Sequence, residues 1–181
     1  MKNFRQMLSV FLMLWMLGLC ACQSVTGGES KENPLEILKG PITLSGVLAV
    51  GENEFGITLR STDGKTGTVR FESPERMQGY TFEKTEEGYY LSYDDLRVPL
   101  KANTLPGGAG TLFSLLSPDV SSVTQSEEKA NGIEMIVYTL PIGSDGSMKV
   151  YTKKSNGTPL RVEFDSHMGK GIFHISEAEF G

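Results

Sequence analysis

The chain has 181 residues, 22 acidic against 17 basic, a formal net charge of −5 and 39% hydrophobic residues. That length suits one domain behind a leader, and the lack of any lysine- and arginine-rich run excludes the electrostatic footprint of a nucleic-acid binder. Both cysteines, Cys20 and Cys22, stand near the N-terminus, which excludes a disulfide framework or a cysteine-ligated metal in the rest of the chain.

In chain order, Lys2 and Arg5 precede an apolar run from Met7 through Leu19, broken by Ser9 and Gly18. The run is shorter than the roughly 20 residues a membrane-spanning helix needs, and its positive flank and abrupt polar ending match an export signal. Leu19-Cys20-Ala21-Cys22 reads as a lipobox: a branched apolar residue, two small ones, then the cysteine that receives lipid. Ala21 fills the narrow position before the cut, whereas lipidation of Cys20 would put Leu19 there. The sequence therefore predicts a lipoprotein signal peptide over 1–21, lipidation of Cys22 and a flexible polar tether over 22–33; the alternative is a plain secretory signal with incidental cysteines. Removing the signal takes away two positive charges, no negative one and the only tryptophan, Trp15. The expected location is extracytoplasmic, lipid-anchored to the cell membrane or the outer membrane.

The domain is expected over 34–181. Asn33 and Pro34 suit a helix cap and first helical residue, with Leu35, Ile37 and Leu38 on one face and Gly40 as the stop, for one or two turns. The period then changes from helical to alternating. Ile42 to Val50, Phe55 to Leu59, Val69 and Phe71, Tyr80 and Phe82, Tyr89 to Tyr93, and Leu96 to Leu100 make about six short strands in an antiparallel meander, with Asp63-Gly64 among the turns. Ser73-Pro74-Glu75-Arg76 reads as a capped single turn closed by Gly79. Residues 102–132 hold a glycine-rich loop or hinge, a short apolar helix at Thr111 to Leu116 and a polar stretch. Ile133 to Leu140, Met148 and Val150, Leu160 to Phe164, and Ile172 to Phe180 complete roughly ten strands. The fold class is mainly β (α+β): a large curved antiparallel sheet or incomplete β-barrel with two or three short helices.

Catalytic chemistry finds little to work with. The serines of Ile142-Gly143-Ser144-Asp145-Gly146-Ser147 lie in a hairpin turn, and no nucleophile elbow is present. His167 and His174 lack companions for a metal, so none is assigned and no cofactor is expected. Glu86-Glu87 and Asp94-Asp95 lack the spacing of a calcium loop and read as solvated turns. Pro106-Gly107-Gly108-Ala109-Gly110 has no lysine after it, so it is no phosphate cradle. The protein is not expected to be an enzyme. Tyr80, Tyr89, Tyr90, Tyr93, Tyr138 and Tyr151 are all placed on strands, where they serve as sheet formers and rim residues or mark a ligand or partner surface.

The stretch from Gly67 to Leu100, GTVRFESPERMQGYTFEKTEEGYYLSYDDLRVPL, carries a strand, a Ser-Pro turn, a strand and a YDDLRVPL segment. With the apolar helix and four closing strands after it, this layout resembles the LolA/LolB-like lipoprotein-carrier and lipid-binding lipoprotein superfamily over most of Ile42 to Phe180. The resemblance implies an incomplete antiparallel barrel around short helices, with an apolar cavity for acyl chains. The helix before the first strand is shorter here than in that family, and no individual carrier residue is matched. Val69, Phe71, Phe82, Leu112, Phe113 and Leu116 are candidate ligand-lining positions, each equally accounted for as ordinary core. The expected function is a membrane-anchored protein binding a lipid or other apolar ligand. The alternative is an envelope protein-interaction or sensor module with a filled core.

Overall fold

The computed structural model describes residues 35–101, 107–116, 122–143, 145–166 and 169–181. The predicted signal peptide 1–21, Cys22 with the tether 22–33, Pro34, Ser144 and His167 lie outside the described residues. Residues Glu32–Gly181 form one compact unit.

Eleven strands make one antiparallel sheet. The first meander is β1 (Ile42–Val50), β2 (Asn53–Ser61), β3 (Gly67–Ser73), β4 (Thr81–Lys84), β5 (Tyr89–Tyr93) and β6 (Leu96–Leu100). The second is β7 (Thr124–Ala130), β8 (Ile133–Ile142), β9 (Gly146–Lys153), β10 (Pro159–Ser166) and β11 (Gly169–Phe180). Pairing of β1 with β11, from Ile42 opposite Phe180 to Val50 opposite Gly171, joins the two. The strand order is β6-β5-β4-β3-β2-β1-β11-β10-β9-β8-β7, so β6 and β7 remain as edges and the barrel is not closed. The expected class, an open antiparallel sheet, is what the chain forms.

The period-2 pattern decides which side chains point inward. Leu44, Leu48, Ile57, Leu59, Val69, Phe71, Phe82, Val150, Val162 and Phe173 are all buried on one face. Phe82 from one arm and Tyr138 from the other belong to the same apolar core. Neighbouring strands lie about 4.8 Å apart, so a flat sheet would hold β4 and β8 far from each other; the sheet has to curl to bring them into one core.

The connection from the first meander to the second carries the one α-helix among the described residues, α1 (Gly107–Leu115), whose Ala109, Leu112, Phe113, Leu115 and the adjoining Leu116 are buried against the inner face. Single-turn helices lie at Glu36–Lys39 and Glu75–Met77, where the sequence places turns, though the second lacks the expected side-chain cap.

Three sequence expectations need correction. Gly107 to Gly110 are the first turn of α1 and not a loop or hinge. A Cβ on Gly108 would stand 3.0 Å from Leu48 Cδ2 and 3.1 Å from Val50 Cγ2, so the glycine lets the helix lie close on β1. The polar stretch before Ile133 contains a strand, β7, exposed at every residue. An edge strand pairs its backbone with β8 and needs no apolar face, which removes the alternation that would reveal it. Tyr80, placed on a strand by its pattern, precedes β4 in an irregular position and stacks on Tyr93 with ring centroids 4.4 Å apart.

Candidate functional site

The helix is held to the sheet at three points. Gly108 rests over β1. Leu116 packs where Gly67 starts β3: a Cβ there would meet Leu116 Cδ1 at 2.5 Å. Phe113 faces Tyr89 of β5, with ring centroids 6.0 Å apart. Beside this seat a cleft of about 280 Å³ opens between the helix and the two arms of the sheet. Gly110, Phe113 and Ser114 form its helical side, Lys84 and Tyr89 one wall, and Leu140 to Gly143 with Met148 the other.

The chemistry of the cleft follows from strand parity. Lys84 is two residues from buried Phe82 on β4, so both point to the inner face. Tyr89 is on the same face of β5, whereas its neighbour Tyr90 points outward and stacks on the Arg97 guanidinium at 3.7 Å. Among the described residues lining the cleft, Lys84 is the one that carries charge. Burial pushes its ammonium below the ordinary lysine value, and the Asp63 carboxylate pulls weakly the other way. Tyr89, Phe113, Leu140, Ile142 and Met148 contribute apolar side chains, but Phe113, Leu140 and Met148 are only 1–3% exposed, and the surface the cleft presents is more polar than apolar.

All six sequence candidates come together in the core, at 0–4% exposure. Within that core Phe71 lies edge-on to Phe55 at 5.5 Å and to Phe82 at 5.6 Å. Phe113 is the candidate that also borders the cleft; Val69, Phe71, Phe82, Leu112 and Leu116 are enclosed by core neighbours. Sequence reasoning missed Lys84, Leu140, Ile142 and Met148 as lining. The parity of Lys84 with Phe82 was a readable signal for an inward charge; the approach of the β8–β9 hairpin was not.

Two other surfaces frame the site. Tyr93, Leu96 and Val98 continue the inner face toward the β6 edge and stay 46%, 64% and 39% exposed. On the outer face Met135, Val137 and Tyr151 form a smaller buried cluster with Leu160 packed against it. There the Tyr151 hydroxyl donates to Glu163 Oε2 at 3.0 Å and the Arg161 guanidinium covers its ring at 3.9 Å. A wider outer groove of about 610 Å³ crosses β1, β11, β10 and β9, lined by Lys149, Glu163, Asp165 and Lys170 among others. Its Lys170 Nζ lies 2.6 Å from Asp165 Oδ2.

Among the described residues no group of three or more His, Cys, Asp or Glu could hold a metal ion, and no helix is long and apolar enough to cross a membrane. His174 is on β11 opposite Val47 and Arg161.

No protein-family model and no curated protein matches the chain. Among solved structures, it is similar to an uncharacterized conserved protein from Thermus thermophilus, 15% identical with a TM-score of 0.51 over 81% of this chain and 82% of that one. It is also similar to a putative outer membrane lipoprotein-sorting protein domain from Vibrio parahaemolyticus, at 16% identity and TM-score 0.47 over 81% and 91%. A LolA superfamily protein from Nitrosomonas europaea follows at 10% and 0.43 over 82% and 92%. At these identities the likeness shows the fold alone.

Proposed function

We propose that the protein is a lipoprotein of the bacterial envelope, anchored through lipid on Cys22, that binds an apolar ligand such as an acyl chain between α1 and the inner face of its open sheet. One observation carries this reading: the cleft beside Phe113, walled by Tyr89, Leu140, Ile142 and Met148. Ligand sites are concave and usually about 300–1,000 Å³; at about 280 Å³ and with more polar than apolar surface, this cleft suits the head end of a single-chain ligand. The enclosed candidates Val69, Phe71, Phe82, Leu112 and Leu116 would join the lining if the helix shifted outward to admit more of the ligand. The reading requires binding and no catalysis.

Every described element lies within residues 22–181, so the test uses that mature chain with Cys22→Ser, purified without detergent. Native mass spectrometry is expected to show an added mass that denaturation releases as lipid. A clean protein mass, unchanged after incubation with bacterial lipid extract, would remove the reading. Anchoring is tested on the whole chain in a bacterial host, where labelled palmitate is expected to enter the protein and to be lost with Cys22→Ala. Label that persists in that variant would refute lipidation at Cys22.

A second reading, an envelope protein-interaction or sensor module, is favoured by the exposed row Tyr93, Leu96 and Val98 beside the open edge β6. An apolar row next to unpaired backbone is the kind of surface to which an extended partner can add a strand. It becomes the leading reading if the mature chain carries no lipid.

A further inference from the structure

We propose that Lys84 makes the cleft selective for a single-chain amphiphile ending in an anionic head, a carboxylate or a phosphate, with the chain lying against Phe113 and Met148. The inference deepens the ligand-site reading above and rests on it.

Three observations lead there. The alternation of β4 turns Lys84 to the same side as Phe82, so its stem leaves the sheet toward the core and not toward bulk water. It shares the cleft with Tyr89, Phe113, Ser114, Leu140, Ile142 and Met148, and burial there takes part of the ammonium's solvation away. Among the described residues no carboxylate forms an ion pair with it: neighbouring Glu83 is engaged by Arg97 at 3.0 Å and by the Ser92 hydroxyl on the other face. Lys170 in the outer groove is the contrast, since Asp165 already answers its charge.

A half-buried cation without a close counter-ion is held at a cost, seen in the downward push on its pKa. A bound anion restores the lost solvation through a charge-assisted hydrogen bond, and Tyr89 and Ser114, which line the same space, carry hydroxyls able to donate as well. A neutral head of the same size gains none of this. An anion without a chain forgoes the apolar contacts that the rest of the cleft offers.

The test is calorimetric titration of the mature Cys22→Ser chain with dodecanoate, dodecyl phosphate, dodecanol and inorganic phosphate, each below its aggregation limit at neutral pH. The same ligands are titrated into Lys84→Met, which keeps a long apolar stem, and Lys84→Arg, which keeps the charge. The two anionic amphiphiles are expected to bind at least about tenfold tighter than dodecanol. Lys84→Met should erase that difference and Lys84→Arg should retain it, with unfolding midpoints confirming that both variants are folded. Equal binding of dodecanoate and dodecanol, or a preference that survives in Lys84→Met, would overturn the role of Lys84 while leaving the cleft a ligand site. Inorganic phosphate binding as tightly as dodecyl phosphate would overturn the amphiphile, showing a plain anion site. If none of the chain-bearing ligands binds, the cleft reading falls and this proposal falls with it.

Discussion

Asp63 shows how one side chain organises a turn. Its Oδ1 accepts hydrogen bonds from the Thr66 and Lys65 amides at 2.7 and 2.8 Å and from the Thr66 hydroxyl at 3.0 Å. These bonds favour the carboxylate, the Thr66 amide most, and hold its pKa below the ordinary value of 3.8. A depressed folded-state value means the stabilisation is fully present above the unfolded value and disappears as pH falls through the folded one. Asp63→Ala should therefore lower the unfolding midpoint at neutral pH, and the gap to the parent should close in strong acid. Carbon-detected NMR titration should place the Asp63 midpoint below the ordinary 3.8; a midpoint at or above it would show that these bonds do not form in solution. At the cleft, truncation separates packing from lining. Leu112→Ala and Leu116→Ala remove enclosed core and are expected to cost about 2–5 kcal/mol by urea unfolding. Phe113, 1% exposed and packed on Tyr89, should cost the roughly 3–5 kcal/mol of a packed phenylalanine when cut to alanine. A much smaller loss at Phe113 would mean that its ring faces the open cleft in solution.

Two glycines set how the main elements meet. At Gly108 the obstacles are the ends of the Leu48 and Val50 side chains, which can yield slightly. Alanine there also favours the helix by roughly 0.5–1 kcal/mol over glycine, so Gly108→Ala should be near neutral. Gly108→Leu should lose about 1–3 kcal/mol, because overpacking lifts the helix from β1. At Gly46 the obstacle is backbone. Its Cβ would run into the His174 carbonyl oxygen, beside the bulge between Ser45 and Gly46 in the β1–β11 pairing. Gly46→Ala should thus destabilise by more than the roughly 1 kcal/mol of a typical substitution. The expected order in denaturant midpoints is parent, Gly108→Ala, then Gly46→Ala; a Gly46→Ala protein as stable as the parent would show that the register of this seam is not rigid. The sequence pattern located β1 and α1 because apolar spacing marks them. It could not reveal that Gly107 to Gly110 are helical, since glycine's weak helix preference is overridden here by close packing.

The whole sheet has a protected centre and two open ends. β1 lies midway in the strand order, between β2 and β11, while β6 and β7 each have one partner. Amides of β1 and β11 should exchange slowest, near the global unfolding limit, and those of β6 and β7 fastest. Exchange at β6 as slow as at β1 would mean that a second chain covers that edge. The edges differ in chemistry: β7 carries Glu127, Glu128 and Lys129, which discourage pairing, whereas β6 offers exposed Leu96 and Val98 beside Pro99. Sequence alone determined the fold class, because apolar side chains at strand spacing mark every strand but β7 and a single apolar helix had to be buried against them. It marked the six candidate positions as inward-facing for the same reason: burial follows from period and hydrophobicity, which are local properties. It did not determine where that core stops and a cleft begins. Lys84, Phe113 and Met148 are far apart along the chain, and they share one space only because the sheet curls around the helix without closing. That arrangement depends on the joint packing of β1, β11 and α1, and such long-range packing was settled only in the tertiary structure.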